Sequence, residues 1–285
     1  MPSVSFDRAV DYYDETRGFA PGVAEQIRDA ILAHTKLSRS ARFLEMGVGT
    51  GRIALPFIEA GYAYAGLDIS TAMMARLAPK LADDDPNRRL NFALIQANIA
   101  GHVPFADASF DVAIMVHVLH LIDEWQAVLN EARRILRPSR SWLLIARSDG
   151  QRHAPIIDQD NPQRTDAANV RAKWNEILRD LGLERHAFRP GNRAVDTALD
   201  DYLHQLGAKT ETALLAEYDQ PPVSPRTMAE RLKARMYSGD WNLSDDVHAE
   251  AVRRLDKWLN EECPNPDTAV ASKGSFSAMV ASWGN

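Results

Sequence analysis

R-F-L-E-M-G-V-G-T-G-R, from Arg42 to Arg52, reads as strand, glycine loop and helix in succession. Phe43 and Leu44 form the apolar end of a short buried strand, and Glu45 sets a carboxylate at its carboxyl end. Gly47, Gly49 and Gly51 follow at alternate positions, where a missing side chain lets backbone N–H groups come close to a ligand. Arg52-Ile53-Ala54-Leu55 then begins a helical pattern. Such a succession makes the crevice in which α/β proteins commonly hold an adenosine-containing cofactor.

The spacing chooses between nucleotide readers. The dinucleotide fingerprint G-x-G-x-x-G/A needs Gly or Ala where this chain has Arg52. Here the loop is G-x-G-x-G, with an acidic residue two places before it. A carboxylate there repels a pyrophosphate and suits a cationic ligand. On these residues the chain resembles the class I S-adenosylmethionine-dependent methyltransferases, whose first motif is commonly E/D-x-G-x-G-x-G. The resemblance implies S-adenosyl-L-methionine as cofactor, held by Glu45, Gly47, Gly49 and Gly51. The plain alternative is a helix-opening turn with no ligand.

Tyr62 to Leu67 reads as a second strand ending at Asp68, in the run A-G-L-D-I-S. A carboxylate at that position can accept both ribose hydroxyls of an adenosine. It can also cap the helix that opens near Ser70, a duty Ser70 itself could perform. By the resemblance, Ile69 and Met73 pack the adenine, although methionines at helical spacing are more often core. Asn98, in A-N-I-A beside Ile99, falls where the family usually carries Asp, and its amide oxygen can still accept a hydrogen bond. The spacing predicts a helix over Thr71–Leu81, a charged turn over 83–89 and a third strand over Asn91–Gln96.

V-P-F-A-D-A-S-F-D-V-A-I-M-V-H-V-L-H, from Val103 to His120, is the third match to the family. Its Pro-Phe turn and S-F-D lead into a fourth strand, Val112–Val116, with Asp111 expected to bond backbone at the strand base. That strand ends at His117, on the same sheet edge as Glu45 and Asp68, where doubly wound sheets bind ligands. His117 and His120 are the candidates for a general base or a substrate polariser, since imidazole exchanges protons near neutral pH. Otherwise they line the pocket, His120 bonded to backbone.

Residues 1–36 precede the first strand, with Phe6, Val10 and Tyr13 at helical spacing and an amphipathic helix over Pro21–Lys36. The segment resembles the family's amino-terminal lid, in which Y-D-x-x-R folds over the cofactor. That implies Tyr13 at the site and Arg17 against the methionine carboxylate; an ordinary solvated helix face is the alternative. Toward the carboxyl terminus the pattern gives a helix over Asp123–Leu136, a strand over Ser141–Ala146, a loop over 151–164, helices over 166–181 and 195–206, and strands over Ala208–Tyr218 and Thr268–Trp283. Residues 148–200 and 221–262 read as a cap. Its R-M-Y-S-G-D-W segment resembles that of a bacterial small-molecule subgroup, with Met236, Tyr237 and Trp241 as substrate contacts or as the cap's own core.

Composition narrows the partners. The 285 residues are 45% hydrophobic and 25% charged, ample for a packed core. Thirty-three basic against 39 acidic residues give a net charge of −6 without a basic run, so no footprint for nucleic acid or an anionic membrane is expected. Cys263 is the only cysteine, and no signal or membrane-spanning segment is read, which makes a cytoplasmic protein the expectation. The place of the base-gripping N/D-P-P-Y/F/W motif reads M-V-H-V, and no metal-binding motif is present.

The expectation is a three-layer α/β sandwich with a seven-stranded, mostly parallel sheet, the Rossmann-like methyltransferase fold, plus a helical cap. It divides into lid helices (1–36), a cofactor-binding core (37–147) and a cap and substrate region with the last strands (148–285). The implied activity is methyl transfer from S-adenosylmethionine to an O, N or C atom of a small molecule. An NAD-dependent oxidoreductase and a non-catalytic cofactor-binding protein are the alternatives.

Overall fold

The computed structural model describes residues 5–81, 91–150, 167–183 and 193–284. The expected turn at 83–89 and the expected loop at 151–164 lie outside them. Five strands run parallel: β1 (Arg42–Met46), β2 (Ala63–Asp68), β3 (Phe92–Gln96), β4 (Val112–Val116) and β5 (Ser141–Gly150). With β6 (Lys209–Val223) and β7 (Val270–Trp283) they form one seven-stranded sheet in the order β3-β2-β1-β4-β5-β7-β6, flanked by helices. All five residues of β4 are buried, the all-apolar signature of a central parallel strand. The order reverses between β1 and β4, where Glu45 lies opposite Ile114. In open α/β sheets the carboxyl ends at such a switch point bind ligands.

Asp111 anchors the opposite edge, as its place before β4 suggests. Its carboxylate accepts from Arg42 N–H at 2.8 Å and from the Arg137 guanidinium at 2.6 Å, tying the starts of β1 and β4 together.

The helices are more interrupted than the sequence pattern predicts. The amino-terminal segment comprises a 3₁₀ turn (Asp7–Ala9), α1 (Tyr13–Arg17) and α2 (Val23–Thr35), with Gly22 at φ +85° preceding α2. After the glycine loop, α3 (Ala54–Glu59) starts late enough to put Pro56 in its first turn, where no N–H is needed. The helix expected over Thr71–Leu81 is α4 (Thr71–Ala75) followed by a 3₁₀ turn (Ala78–Leu81). Pro79 explains the break: its ring would clash with the carbonyl four residues back in a continuous α-helix. Five further helices follow: α5 (Trp125–Ile135), α6 (Ala167–Asp180), α7 (Arg193–Gln205), α8 (Pro225–Lys233) and α9 (Asp245–Glu261). None of the helices among the described residues is long and apolar enough to cross a membrane.

Two compact units divide the chain. The first comprises residues 1–148, 187–217 and 275–285. Its core joins Leu44, Leu67, Ala113 and Leu143 of the strands to Val128 and Ile135 of α5 and to Leu199 and Leu203 of α7. α7, assigned to the cap by the sequence pattern up to residue 200, therefore packs with the strands. The second unit comprises residues 149–186 and 218–274. Its core gathers Trp174 and Ile177 of α6, Met228 and Leu232 of α8, Leu255 and Leu259 of α9, and Tyr237. Tyr237 is buried there under the Arg171 guanidinium, 4.0 Å from its ring centroid, while Trp241 donates its indole N–H to the Arg235 carbonyl at 2.8 Å.

Candidate active site

The carboxyl ends of β1, β2 and β4 open on one cavity of about 660 Å³, its solvent-open mouth included. Nine residues singled out from the sequence line it: Tyr13, Gly47, Gly49, Asp68, Ile69, Met73, Asn98, Ile99 and His117.

The three glycines do different things. Gly49, at φ +52°, has only the Met73 methyl within 4 Å of where a Cβ would stand, so its backbone is bare toward the cavity. Gly47 also lines the cavity, and a Cβ there would meet Val118 at 2.9 Å. At Gly51 a Cβ would stand 2.3 Å from the Leu77 side chain, which makes this glycine a packing requirement away from the cavity.

Asp68 is held by the loop it faces. Its two carboxylate oxygens accept from Gly49 N–H at 2.8 Å and Ser70 N–H at 2.9 Å, one bond each. Burial pushes this carboxyl above its ordinary range, and the backbone bonds pull the other way. Ser70, with its oxygen accepting from Met73 N–H at 3.0 Å, is the N-cap of α4. Asp68 is thereby spared the capping role.

Glu45 departs from its expected position. It is 2% exposed and absent from the cavity wall, and its carboxyl accepts the Tyr64 hydroxyl at 2.9 Å. Burial pushes it up to about 8, against the opposing Tyr64 bond and the Arg52 charge. Burial thus favours its neutral form, and the group is a buried prop within the sheet. Arg17 likewise is not on the wall. Its carbonyl accepts from the Arg52 guanidinium at 2.6 Å. His120, in a 3₁₀ turn at Leu119–Leu121, also lies outside the lining. Asn98 spends a lone pair on the Ala100 N–H at 3.0 Å within its own loop.

Sequence reasoning missed the rest of the wall. Among the described residues, Val116, Val118, Leu121 and Ile122 give the β4 side an apolar surface in which His117 is the single titratable group. Phe6 meets Tyr13 edge to face with centroids 6.0 Å apart, and both line the cavity. Three carboxylates hold this amino-terminal segment in place. Asp7 accepts from the Ser70 hydroxyl and Asp11 from Arg76, while Asp14 accepts from the Thr50 hydroxyl at 2.5 Å and Lys80 at 2.6 Å. The signal available was their spacing, positions 7, 11 and 14, which would share one side of a continuous helix.

This geometry, with a glycine loop and a strand-end carboxylate at the switch point, coincides with a match of residues 44–143 to the family model of the methyltransferase domain. Residues 44–143 are a class I methyltransferase domain. The cofactor of such domains is S-adenosyl-L-methionine. The chain is similar to phosphatidylethanolamine N-methyltransferase of Cereibacter sphaeroides, with 31% identity over 125 residues, 43% of this chain and 58% of that protein. It is similar to demethylmenaquinone methyltransferase of Tropheryma whipplei (strain Twist), with 29% identity covering 47% of this chain and 53% of that protein. The methyltransferase domain thus sits in a chain that spans little more than half the length of these curated relatives. In fold it is similar to a Haemonchus contortus N-methyltransferase solved with phosphomonomethylethanolamine and S-adenosylhomocysteine. The TM-score is 0.52 at 15% identity, covering 100% of this chain and 62% of that one.

Proposed function

We propose that the protein transfers a methyl group from S-adenosylmethionine to an O, N or C atom of a small molecule. The observation that carries this reading is Asp68, a carboxylate on the cavity wall at the end of β2, locked to the backbone of Gly49 and Ser70. Each of its oxygens retains a second lone pair, enough to accept two ribose hydroxyls. Gly49 leaves its face toward the cavity free of a side chain for the methionyl portion. Ile69, Met73 and Ile99 offer an apolar slot for an adenine, with Asn98 at its rim. The residues present therefore fit the cofactor. Bound there, it supplies an electrophilic methyl on a sulfonium.

This chain's own contribution is to hold and orient. In an in-line substitution with a good leaving group, proximity and alignment can supply much of the acceleration. Val116, Val118, Leu121 and Ile122 form the side left for the acceptor, and an apolar wall favours an apolar acceptor and keeps water out. The named acceptors of the two relatives, phosphatidylethanolamine and demethylmenaquinone, are non-polymeric, which supports a small molecule here. Calorimetry with S-adenosylmethionine and, separately, NAD is the first test. Heat with NAD alone overturns the proposal. Release of S-adenosylhomocysteine on adding metabolite pools is then expected, and its absence across apolar amines, phenols and acids would make the protein a binding module.

A further inference from the structure

Ser70 joins the amino-terminal segment to the cavity wall, and each of its polar groups has a different partner. Its backbone N–H donates to one oxygen of Asp68 at 2.9 Å. Its hydroxyl oxygen accepts from the Met73 N–H at 3.0 Å, as the N-cap of α4. An amide N–H only donates, so the hydroxyl proton remains for another acceptor, and the Asp7 carboxylate takes it. Ser70 is 2% exposed, which keeps these bonds largely out of reach of water. The second oxygen of Asp68 accepts from Gly49 N–H at 2.8 Å. A continuous run of hydrogen bonds therefore leads from Asp7 through Ser70 and Asp68 to the glycine loop. Both of its ends reach the cavity: Gly49 and Asp68 line it, as do Phe6, next to Asp7 in the chain, and Tyr13. The segment has other tethers as well, since Asp11 bonds Arg76 and Asp14 bonds Thr50 and Lys80.

We propose that Ser70 is the joint through which Asp7 of the amino-terminal segment holds the ribose-binding carboxylate in place, so that cofactor binding and the Asp7 tether strengthen one another. Ser70 and Asp7 are positioning residues, acting through Asp68, and the role rests on Asp68 holding the cofactor as proposed above. Two amides fix the plane of the Asp68 carboxylate, and they fix it only as firmly as their own backbone is held. Asp7 supplies that hold at Ser70 from outside the sheet. Charge acts in the opposite direction. Burial is the main push that raises the Asp68 carboxyl, and the like charge of Asp7 adds a smaller push the same way. Removing Asp7 would by charge alone favour an ionised Asp68 and tighten its grip on hydroxyls. Loss of positioning weakens that grip, so the sign of the effect separates the two. Such coupling is reciprocal: whatever the tether adds to cofactor affinity, the cofactor adds to the tether.

Asp7→Ala tests the joint at an exposed position, leaving the Ser70 cap and the Asp11 and Asp14 tethers in place. Calorimetry should show S-adenosylmethionine binding weakened by about five-fold or more, the low end of common coupling between sites. Unchanged or tighter binding overturns the proposal. In an Asp68→Ala background the same substitution should alter affinity by less than about two-fold, the usual limit of additivity. Equal losses in both backgrounds, expected if the segment only walls the cavity, also overturn it. Asp7→Asn removes the charge but keeps an acceptor for the Ser70 hydroxyl, and should bind within about two-fold of the parent. A loss as large as that of the alanine variant would rule out the hydrogen-bonded route. A second readout needs no cofactor. Amide hydrogen exchange at Ser70 and Gly49, the two donors to Asp68, should quicken in ligand-free Asp7→Ala and not in Asp7→Asn. Exchange unchanged in the alanine variant, or equally fast in both, overturns the joint. If the parent gives no heat with S-adenosylmethionine, the proposed activity falls, while the exchange result still decides whether Ser70 ties Asp7 to Asp68.

Discussion

The β1–β2 side and the β4 side of the cavity face the same space with opposite chemistry. On the first, backbone and carboxyl groups hold one another: Gly49 N–H bonds Asp68, Tyr64 bonds Glu45, and Ser70 caps α4 while donating to Asp7. On the second, Val116, Val118, Leu121 and Ile122 surround one imidazole. Fixed polar groups suit a ligand whose shape is always the same. An apolar wall discriminates weakly, each methylene being worth only about 1–3 kcal/mol. The β1–β2 side can therefore be read residue by residue, whereas the β4 side constrains the polarity of an occupant more than its identity.

The comparison breaks most sharply at Gly49. Gly49→Val should abolish measurable S-adenosylmethionine binding, a loss of at least about 100-fold, because a β-branched residue at φ +52° forces the bare loop to move. Calorimetry checks the affinity, and an unchanged far-UV circular dichroism spectrum shows that the sheet persists. Unaltered affinity would remove the loop from the site.

Asp68→Ala should weaken cofactor binding by about 1.5–3 kcal/mol, the usual worth of hydrogen bonds to a charged group. A lower stability with affinity retained would reduce Asp68 to a loop clasp.

Glu45 sharpens the contrast through pH. Its folded-state carboxyl titrates at about 8 against an ordinary 4.5, so the folded chain keeps a proton that the unfolded chain has released. The stability this contributes is fully present below 4.5 and declines as pH rises to about 8. Glu45→Gln keeps an acceptor for Tyr64 and abolishes that decline. At pH 8 it should be the more stable protein by on the order of 1–3 kcal/mol, read as the gap between denaturation midpoints across the pH range. Parallel pH profiles for parent and variant would show that Glu45 is already ionised in the fold.

The smallest effect belongs to the amino-terminal segment. Asp14→Asn weakens a partly exposed pair with Lys80, so stability should fall by under about 1 kcal/mol, with a few-fold faster cofactor release in stopped-flow displacement. A loss of several kcal/mol would mean that this segment is part of the core.

What the sequence disclosed and what it hid divide along the same physical line. The glycine loop, Asp68 and Asp111 were legible because each is fixed by neighbours a few residues away or by a strand end of obvious polarity. The true partner of Glu45 was not, because Tyr64 meets it only once β1 and β2 lie in register with Glu45 beside Gly66. Ser148 carried no signal until β5 paired with β4 and brought it to His117. The break after α4 could have been read from Pro79. The place of α7 could not, since an amphipathic helix shows which face it buries and not against what.

The pairing of β1 has a consequence for how the protein comes into being. Phe43 takes its partner from Val112, and the Arg42 N–H finds its acceptor on Asp111, sixty-nine residues later. As the ribosome releases the chain, β1 and its glycine loop emerge long before the strand that closes their second edge. Contacts so distant in sequence make folding slow and leave an apolar strand edge exposed in the meantime. A nascent chain ending before Val116 should thus be a client for chaperones and blind to S-adenosylmethionine. Protection by the ligand can begin only after β4 has left the exit tunnel.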